Sequence, residues 1–325
     1  MEERITPIPG PLEMATPSMS MSITDALHPF RAPRLDAAAL ASAALLLCAT
    51  PDESQAQKSL PGLPGAPTPA STNGSTLATL TLVGEHDALV PGVISWIGLH
   101  FRIHEGWHLY WRNNGDTGAP MQITLAASEG VEIGDIHYPA PRRHPVTGGF
   151  LDFVYEGEVT LLVPVRVPED RRAGETIDVR ASVSWLICND VCLAGEGESS
   201  IELPIRAQSH PTPRVPLFER ARERVPRPMA DAWADGIRVA WRAPRRLVIT
   251  APGARALAFF PYESEANAYP EDMATQGAVD ADTISLRYDE HADEAERVAG
   301  VLEVRSPGRT SWYEIVVEGP SSGPG

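Results

Sequence analysis

Lysine is almost absent from this chain of 325 residues, because Lys58 is the only lysine among its 27 basic residues. Schiff-base chemistry needs a lysine amine, so it has no candidate in the regions that are predicted to fold. The formal net charge of −16 provides no basic surface for nucleic acid. A P-loop, a GxGxxG motif after a strand and a GxSxG motif are also missing, which removes the usual indications of nucleotide binding and serine hydrolysis.

Long hydrophobic runs are equally scarce. The one apolar run, residues 36–49, is too short for a membrane span, which needs about 20 apolar residues. It follows Arg31 and Arg34 and precedes small residues ending at Ala56, as in the recognition site of a signal peptidase. The pattern predicts a signal peptide over residues 1–56 and a periplasmic, exported protein. An uncleaved N-terminal anchor is the alternative.

Cysteine occurs only three times, at Cys48, Cys188 and Cys192. Cys48 lies in the apolar run and would be lost with the signal peptide. A lipoprotein cysteine normally follows a small residue, whereas Cys48 follows Leu47, so lipidation is the minority interpretation. The mature chain would keep two cysteines, and an even pair in an oxidising compartment indicates a disulfide.

The folded part of the chain is predicted to be all-β. Apolar and polar residues alternate with period 2 in short segments separated by Gly, Pro and Asp, the pattern of β-sandwich strands. The strand candidates are 93–103, 107–111, 122–125, 159–167, 176–186, 199–205, 237–241, 246–251, 256–260, 283–288, 300–305 and 312–317. The predicted segments are a disordered linker (57–76), a β-sandwich domain (77–206), a linker with a short helix at 217–225 (207–235), a second β-sandwich domain (236–320) and a disordered tail (321–325).

Cys188 and Cys192 form a C-x3-C pair after an apolar strand. Four extended residues span roughly 13 Å, whereas bridged cysteines have Cα atoms within about 7 Å, so residues 189–191 must turn if the pair is bonded. So small a loop adds little stability, and the spacing alone leaves a structural and an exchanging disulfide equally open. The acidic neighbours Asp190 and Glu196 do not stabilise a thiolate, so an exchanging pair is expected to be reducing.

His100, His104 and His108 recur at every fourth residue, which on a helix would line one face and could hold a metal. The period-2 alternation and the glycines around them indicate strands with a turn instead. The sequence therefore predicts no joint metal site and no cofactor. A copper site that adds the cysteines remains an alternative, because thiolate and imidazole both suit copper.

Four segments occur in an order and spacing that resemble one family. Together they resemble the N-terminal periplasmic domain of DsbD-type thiol:disulfide interchange proteins, especially the ScsB-like branch, over residues 77–206. The segments are GWHLYWRNNGDTGAP (106–120), HYPAP (137–141), FVYEGEVTLLVPV (153–165) and SWLICNDVC (184–192). The second β-domain, with ALAFFP at 256–261, resembles the companion domain of the same branch.

The resemblance implies two immunoglobulin-like β-sandwich domains and a thiol:disulfide oxidoreductase of the protein-disulfide reductase type. Cys188 and Cys192 would be catalytic, receiving electrons from a separate membrane donor and passing them to thioredoxin-like periplasmic proteins. An aromatic cap loop shields the cysteines in this family. The matching residues are Phe153 or Tyr155 as the shield, with Asp152 or Glu156 as proton handlers.

The chain departs from the family pattern at three points. Leu193 and Ala194 replace the residue and proline that commonly follow the second cysteine, and Asn114 replaces a frequent proline. No transmembrane electron-carrying domain or C-terminal thioredoxin domain is found in the sequence, so the expectation is either that electrons come from another protein or that the exchange role has lapsed. A periplasmic binding or scaffold module with a structural disulfide, and a copper-handling module, remain the alternatives.

Overall fold

A computed structural model describes residues 73–242, 245–264 and 266–319. The predicted signal peptide with Cys48, residues 57–72 of the predicted linker and the predicted tail (321–325) lie outside the described residues. Within the described ranges, none of the helices has the length and apolar character needed to cross a membrane.

The first half of the described chain contains ten strands, which form two antiparallel sheets. The strands are β1 (Ala78–Gly84), β2 (Ile94–Ile103), β3 (His108–Gly115), β4 (Gln122–Ala127), β5 (Glu132–Ile133), β6 (Arg142–Val146), β7 (Phe150–Glu156), β8 (Glu158–Arg166), β9 (Thr176–Cys188) and β10 (Cys192–Pro204). One sheet has the order β1-β2-β8-β5, and the other has the order β10-β9-β3-β7-β6, with β4 also paired to β9. Their inner faces meet in one core, where the rings of Phe101 and Trp185 lie edge to face at 6.1 Å.

The second half contains seven strands and three short helices. They are α1 (Val215–Arg222), α2 (Met229–Ala234), β11 (Arg238–Arg242), β12 (Arg246–Thr250), β13 (Ala256–Pro261), α3 (Met273–Gln276), β14 (Ala278–Val279), β15 (Thr283–Arg287), β16 (Arg297–Ser306) and β17 (Arg309–Glu318). The strands form a sheet of order β11-β12-β15 and a sheet of order β14-β13-β16-β17. The prediction of an all-β protein is therefore confirmed.

The helix predicted at 217–225 forms at Val215–Arg222. It begins earlier than predicted because proline is tolerated in the first turn of a helix, and Pro216 occupies that turn. Phe218 is fully buried beneath it. The guanidinium group of Arg222 binds both carboxylate oxygens of Glu85, with Nη2 and Oε2 at 2.7 Å. These contacts hold α1 against the first sheet.

Within the range predicted to be a disordered linker, residues 74–76 form a 3₁₀ turn. The Asn73 side chain caps this turn by accepting a hydrogen bond from the Ser75 N–H. The turn lies on β10, where a Cβ atom at Gly195 would come within 2.6 Å of the Gly74 carbonyl carbon. Gly195 is therefore needed so that the turn can approach the strand.

Aromatic rings connect the two halves of the described chain. Trp111 of β3 and Phe153 of β7 contact Phe260 of β13, with ring centroids 6.3 and 5.4 Å apart respectively. The Asn113 side chain donates a hydrogen bond of 2.7 Å to the Pro261 carbonyl nearby. The buried core is thus continuous from the first sandwich to the second.

Candidate functional site

Cys188 and Cys192 form a disulfide at the end of the β9–β10 hairpin, with Cα atoms 4.2 Å apart. Residues 189–191 make the turn. The Asn189 side chain accepts a hydrogen bond from the Val191 N–H at 3.0 Å, and the Asn189 N–H donates to the Val191 carbonyl at 3.1 Å. Asparagine is well suited to this turn because its side chain can replace a backbone hydrogen-bonding partner.

The two sulfur-bearing residues differ in their access to solvent. Cys188 is only 1 % exposed, because it lies on the inner strand β9 under neighbouring strands. Cys192, which begins the edge strand β10, is exposed, and so is Val191 beside it. Thiol–disulfide exchange requires a thiolate to reach one of the two sulfur atoms. The arrangement makes Cys192 the accessible end of the bridge.

Tyr110 of β3 lies next to the exposed cysteine. Its hydroxyl oxygen is 4.0 Å from Cys192 Sγ and donates a long hydrogen bond of 3.5 Å to Asp152 Oδ2. Burial raises the pKa of Tyr110, so the phenol keeps its proton. The sequence pattern did not indicate Tyr110 as a site residue. The alternation of the WHLYW segment places His108 and Tyr110 on one face of a strand, but only the strand pairing shows that the cysteines lie on the same face.

Asp152 of β7 is a buried carboxyl group that holds the neighbouring loop. It accepts hydrogen bonds from the Thr117 N–H at 2.9 Å and from the Thr117 hydroxyl at 2.5 Å. The loop reaches this position through a bulge at Gly115, where φ is +85° and a Cβ atom would collide with the Leu151 carbonyl oxygen. Glycine is required for both reasons.

Replacement of Asp152 by alanine is expected to lower the free energy of unfolding by about 1–3 kcal/mol, because the half-buried donors of Thr117 would lose their acceptor. Asp152→Asn keeps one acceptor oxygen and is expected to cost less. Urea-induced unfolding measures both changes, with Asp135→Ala, at an exposed position, as the control. Equal losses for Asp152→Ala and Asp135→Ala would contradict this role.

His108 lies directly beside the buried cysteine. In the antiparallel register it is opposite Cys188 on one side and Glu156 on the other. It is 5 % exposed, and its Nε2 atom has no hydrogen-bond partner. Burial is the main cause that lowers its pKa, the nearby His144 lowers it further, and the charges of Asp152 and Glu156 oppose both effects. The sequence linked this histidine to the cysteines only in the alternative of a copper site, together with His100 and His104.

Two more titratable side chains surround His108 from β6 and β7. The ring of His144 lies 4.6 Å from the ring of His108. The Glu156 carboxylate is 3.7 Å from His144 Nδ1 and 3.6 Å from Arg142 Nη1. The predicted residue Glu156 therefore belongs to the surroundings of the disulfide, as Asp152 does.

The rings of Phe153 and Tyr155, which were expected to shield the cysteines, face the core instead. The segment predicted to be a cap loop is the strand β7, whose successive side chains point to opposite faces. Phe153 packs in the core against Trp111, and the Tyr155 hydroxyl donates a hydrogen bond of 2.6 Å to the Pro139 carbonyl. The apolar residues that cluster with Cys188 are instead Tyr110, Val154 and Leu186.

The three histidines of the His-x3-His-x3-His pattern lie apart. His100 is buried in β2, in the other sheet, where its Nδ1 atom is 3.0 Å from the Thr160 hydroxyl. His104 is exposed in the turn before β3, and only His108 approaches the cysteines. Among the described residues there is no group of three or more His, Cys, Asp and Glu side chains arranged to hold a metal ion.

Comparison with known proteins identifies the first sandwich. Residues 81–204 match the family described as thiol:disulfide interchange protein DsbD, N-terminal, which confirms the resemblance for this segment. The chain is similar to the N-terminal periplasmic domain of ScsB from Proteus mirabilis, with 15% identity and a TM-score of 0.45 over 74% of this chain and 92% of that chain. It is also similar to the reduced N-terminal domain of DsbD from Neisseria meningitidis, with 12% identity and a TM-score of 0.26 over 42% and 92%. No curated protein sequence matches this chain.

Proposed function

We propose that this protein passes electrons to or from partner proteins through Cys188 and Cys192. The match of residues 81–204 to the family described as thiol:disulfide interchange protein DsbD, N-terminal, supports the proposal. The observation that carries the proposal is the asymmetric disulfide, with one cysteine exposed at a hairpin end and the other buried. A bridge that served only as a structural link would need no accessible sulfur. The small loop that it closes also contributes little to stability.

Exchange would begin at Cys192. A partner thiolate attacks Cys192 Sγ, the Cys188–Cys192 bond breaks, and Cys188 leaves as a thiolate that takes up a proton. The partner's second thiolate then attacks the partner sulfur of this mixed disulfide and releases Cys192. Two electrons pass from the partner dithiol to this protein. The same steps in reverse pass them to an oxidised partner.

The proposed direction is reduction of partner proteins. The carboxyl groups of Asp152 and Glu156 lie on the disulfide face, and the positive charge of Arg142 is paired with Glu156. Within the described part of the chain, the cation next to this face, Arg142, is therefore paired with a carboxylate and not with a cysteine thiolate. A dithiol without such stabilisation is a better reductant, since strong oxidants are those whose reduced form is stabilised.

A groove of about 480 Å³ lies on the same sheet face as the disulfide and supports docking of a partner. The groove is lined by Leu186 and Ala194, a strand pair two positions from the two cysteines, and also by Ala119 and Pro120. We propose thioredoxin-like periplasmic proteins as acceptors and a separate membrane protein as the electron donor. Export through the predicted signal peptide would place the protein in the compartment where such disulfides persist.

The function requires that the disulfide can be reduced while the domain stays folded. Equilibration with glutathione or thioredoxin, followed by near-UV circular dichroism, is expected to give a reduced protein with native tertiary structure. Thermal or denaturant unfolding of the oxidised and reduced forms should differ by less than about 3 kcal/mol, because the closed loop is short. The Cys188→Ala/Cys192→Ala double variant, which cannot form the bridge, should be folded as well. A bridge that resists reduction until the domain unfolds would be structural, and the proposal would be wrong.

A further inference from the structure

His108 and Cys188 share one face of the sheet at the point where β3 meets β9. The two strands pair at only two positions, and His108 is opposite Cys188 in the first of them. Opposite residues in an antiparallel pair have Cβ atoms about 4.5–5.5 Å apart, so these two side chains are neighbours. Both are buried, at 5 % and 1 % exposure.

The His108 side chain is unusual because its Nε2 atom is buried without a hydrogen-bond partner among the described residues. Buried polar atoms are nearly always satisfied, and an exception in a folded protein calls for a reason. The tautomer with hydrogen on Nδ1 leaves Nε2 as a free acceptor. A thiol at Cys188, which exists only after reduction, would supply a proton for that acceptor.

We propose that His108 accepts the proton of the Cys188 thiol when the reduced pair closes. This inference rests on the proposed function and adds the base that the exchange needs. Cys192 is exposed and can lose its proton to solvent, whereas Cys188 is enclosed and cannot. Only the thiolate is a nucleophile, so the buried cysteine needs a base within the protein.

Oxidation of the reduced cysteine pair needs a disulfide that takes up two electrons, and glutathione disulfide is one such oxidant. The Cys192 thiolate attacks one glutathione sulfur, releases one glutathione thiolate, and forms a Cys192–glutathione mixed disulfide. The Cys188 proton moves to His108 while Cys188 Sγ attacks Cys192 Sγ. The Cys188–Cys192 bond forms, the bond to glutathione breaks, and the leaving thiolate takes a proton from the imidazolium or from water. Two electrons pass from the protein to glutathione disulfide.

The surroundings of His108 suit a base that is neutral before the step. Burial and His144 favour the uncharged ring, which is the form that can accept a proton. Asp152 and Glu156 would stabilise the imidazolium once it forms. The titratable and charged groups that face this ring or lie beside it are Tyr110 on β3, Arg142 and His144 on β6, Asp152 and Glu156 on β7, and Cys188 on β9.

The test measures the formation of the mixed disulfide at Cys192 and its resolution by Cys188 as two separate rates. Reduced protein carrying Cys48→Ser is mixed with glutathione disulfide, quenched with acid and analysed by mass spectrometry. His108→Gln is expected to form the Cys192 adduct at a rate within about threefold of the parent protein and to resolve it about 100-fold more slowly at pH 7. The adduct should therefore accumulate. The difference should shrink as the pH is raised, because a larger fraction of a thiol is then ionised without a base. The control is His104→Gln, at an exposed position, which should behave like the parent.

A pH profile of the parent protein provides a second test that does not depend on the variant folding. The resolution rate should fall as the pH drops through the pKa of His108, because a protonated ring cannot accept a proton. Resolution by His108→Gln at the parental rate, equal slowing of both steps, or a parental resolution rate that does not fall as the pH is lowered well below 6.5 would overturn the inference while leaving the exchange function intact. Failure of the parent protein to form any adduct would instead contradict the proposed function itself.

Discussion

Cys188→Ser is expected to form a mixed disulfide with glutathione disulfide at least about tenfold faster than Cys192→Ser does, in proteins that also carry Cys48→Ser. The first variant keeps the exposed Cys192, whereas the second keeps Cys188, which is 1 % exposed. A buried thiol reacts only after a local opening, and an opening that costs about 1.4 kcal/mol already slows the reaction tenfold. Both variants should lose turnover completely, because a single thiol cannot release the adduct by closing a disulfide.

The measurement is the rate of adduct formation by mass spectrometry in native buffer. Repetition in denaturant provides the control, because the two thiols should react at similar rates once the chain is unfolded. Faster reaction of Cys188 in the native protein would show that the partner approaches from the opposite side of the hairpin. The same difference between the two variants is expected with thioredoxin-like partners, so that Cys188→Ser should give the stable mixed-disulfide complex.

Phe153→Ala is expected to lower the free energy of unfolding by about 3–5 kcal/mol, the usual cost of removing a large buried aromatic ring. The ring is fully buried and contacts both Trp111 and Phe260, so its loss leaves a cavity between the two halves of the described chain. Denaturant unfolding measures the change. Phe150→Ala is the matched control, because that ring is 51 % exposed and its loss should change stability by no more than about 0.5 kcal/mol.

The same variant distinguishes a core role from a shielding role. A shield over the cysteines would leave stability nearly unchanged and would accelerate reduction of the disulfide when removed. The position of Phe153 in the core predicts the opposite pattern, with a large loss of stability and no specific change at the cysteines. A stable Phe153→Ala protein with faster reduction would contradict the placement of this ring.

Much of the sheet structure was predictable because many strands have one buried and one solvated face. In β9 the side chains from Ile177 to Trp185 alternate between buried and exposed, and this alternation is visible in the sequence. The strand β7 is different, since Leu151 to Tyr155 are all buried. A strand buried on both faces shows no period, so the sequence could not assign a direction to Phe153. For that reason the sequence left open whether Phe153 faces the cysteines or the core, where the structure places it.

The site itself was only partly predictable for a different physical reason. The cysteines are close in sequence, and the turn between them follows from Asn189. Tyr110 and His108 are about eighty positions away from Cys188 and Cys192, and only the pairing of β3 with β9 brings them together. Register between distant strands depends on the whole core and cannot be inferred from a local pattern.

The length of the β9–β10 hairpin has a kinetic consequence. The disulfide joins the first of thirteen paired positions, and the other twelve, from Ile187–Leu193 to Thr176–Pro204, do not depend on the sulfur bond. The reduced thiols therefore stay side by side, and each experiences the other at an effective concentration far above that of any dissolved thiol. A mixed disulfide at Cys192 should thus be short-lived, and dissolved glutathione should compete poorly with Cys188 for the release of a bound partner.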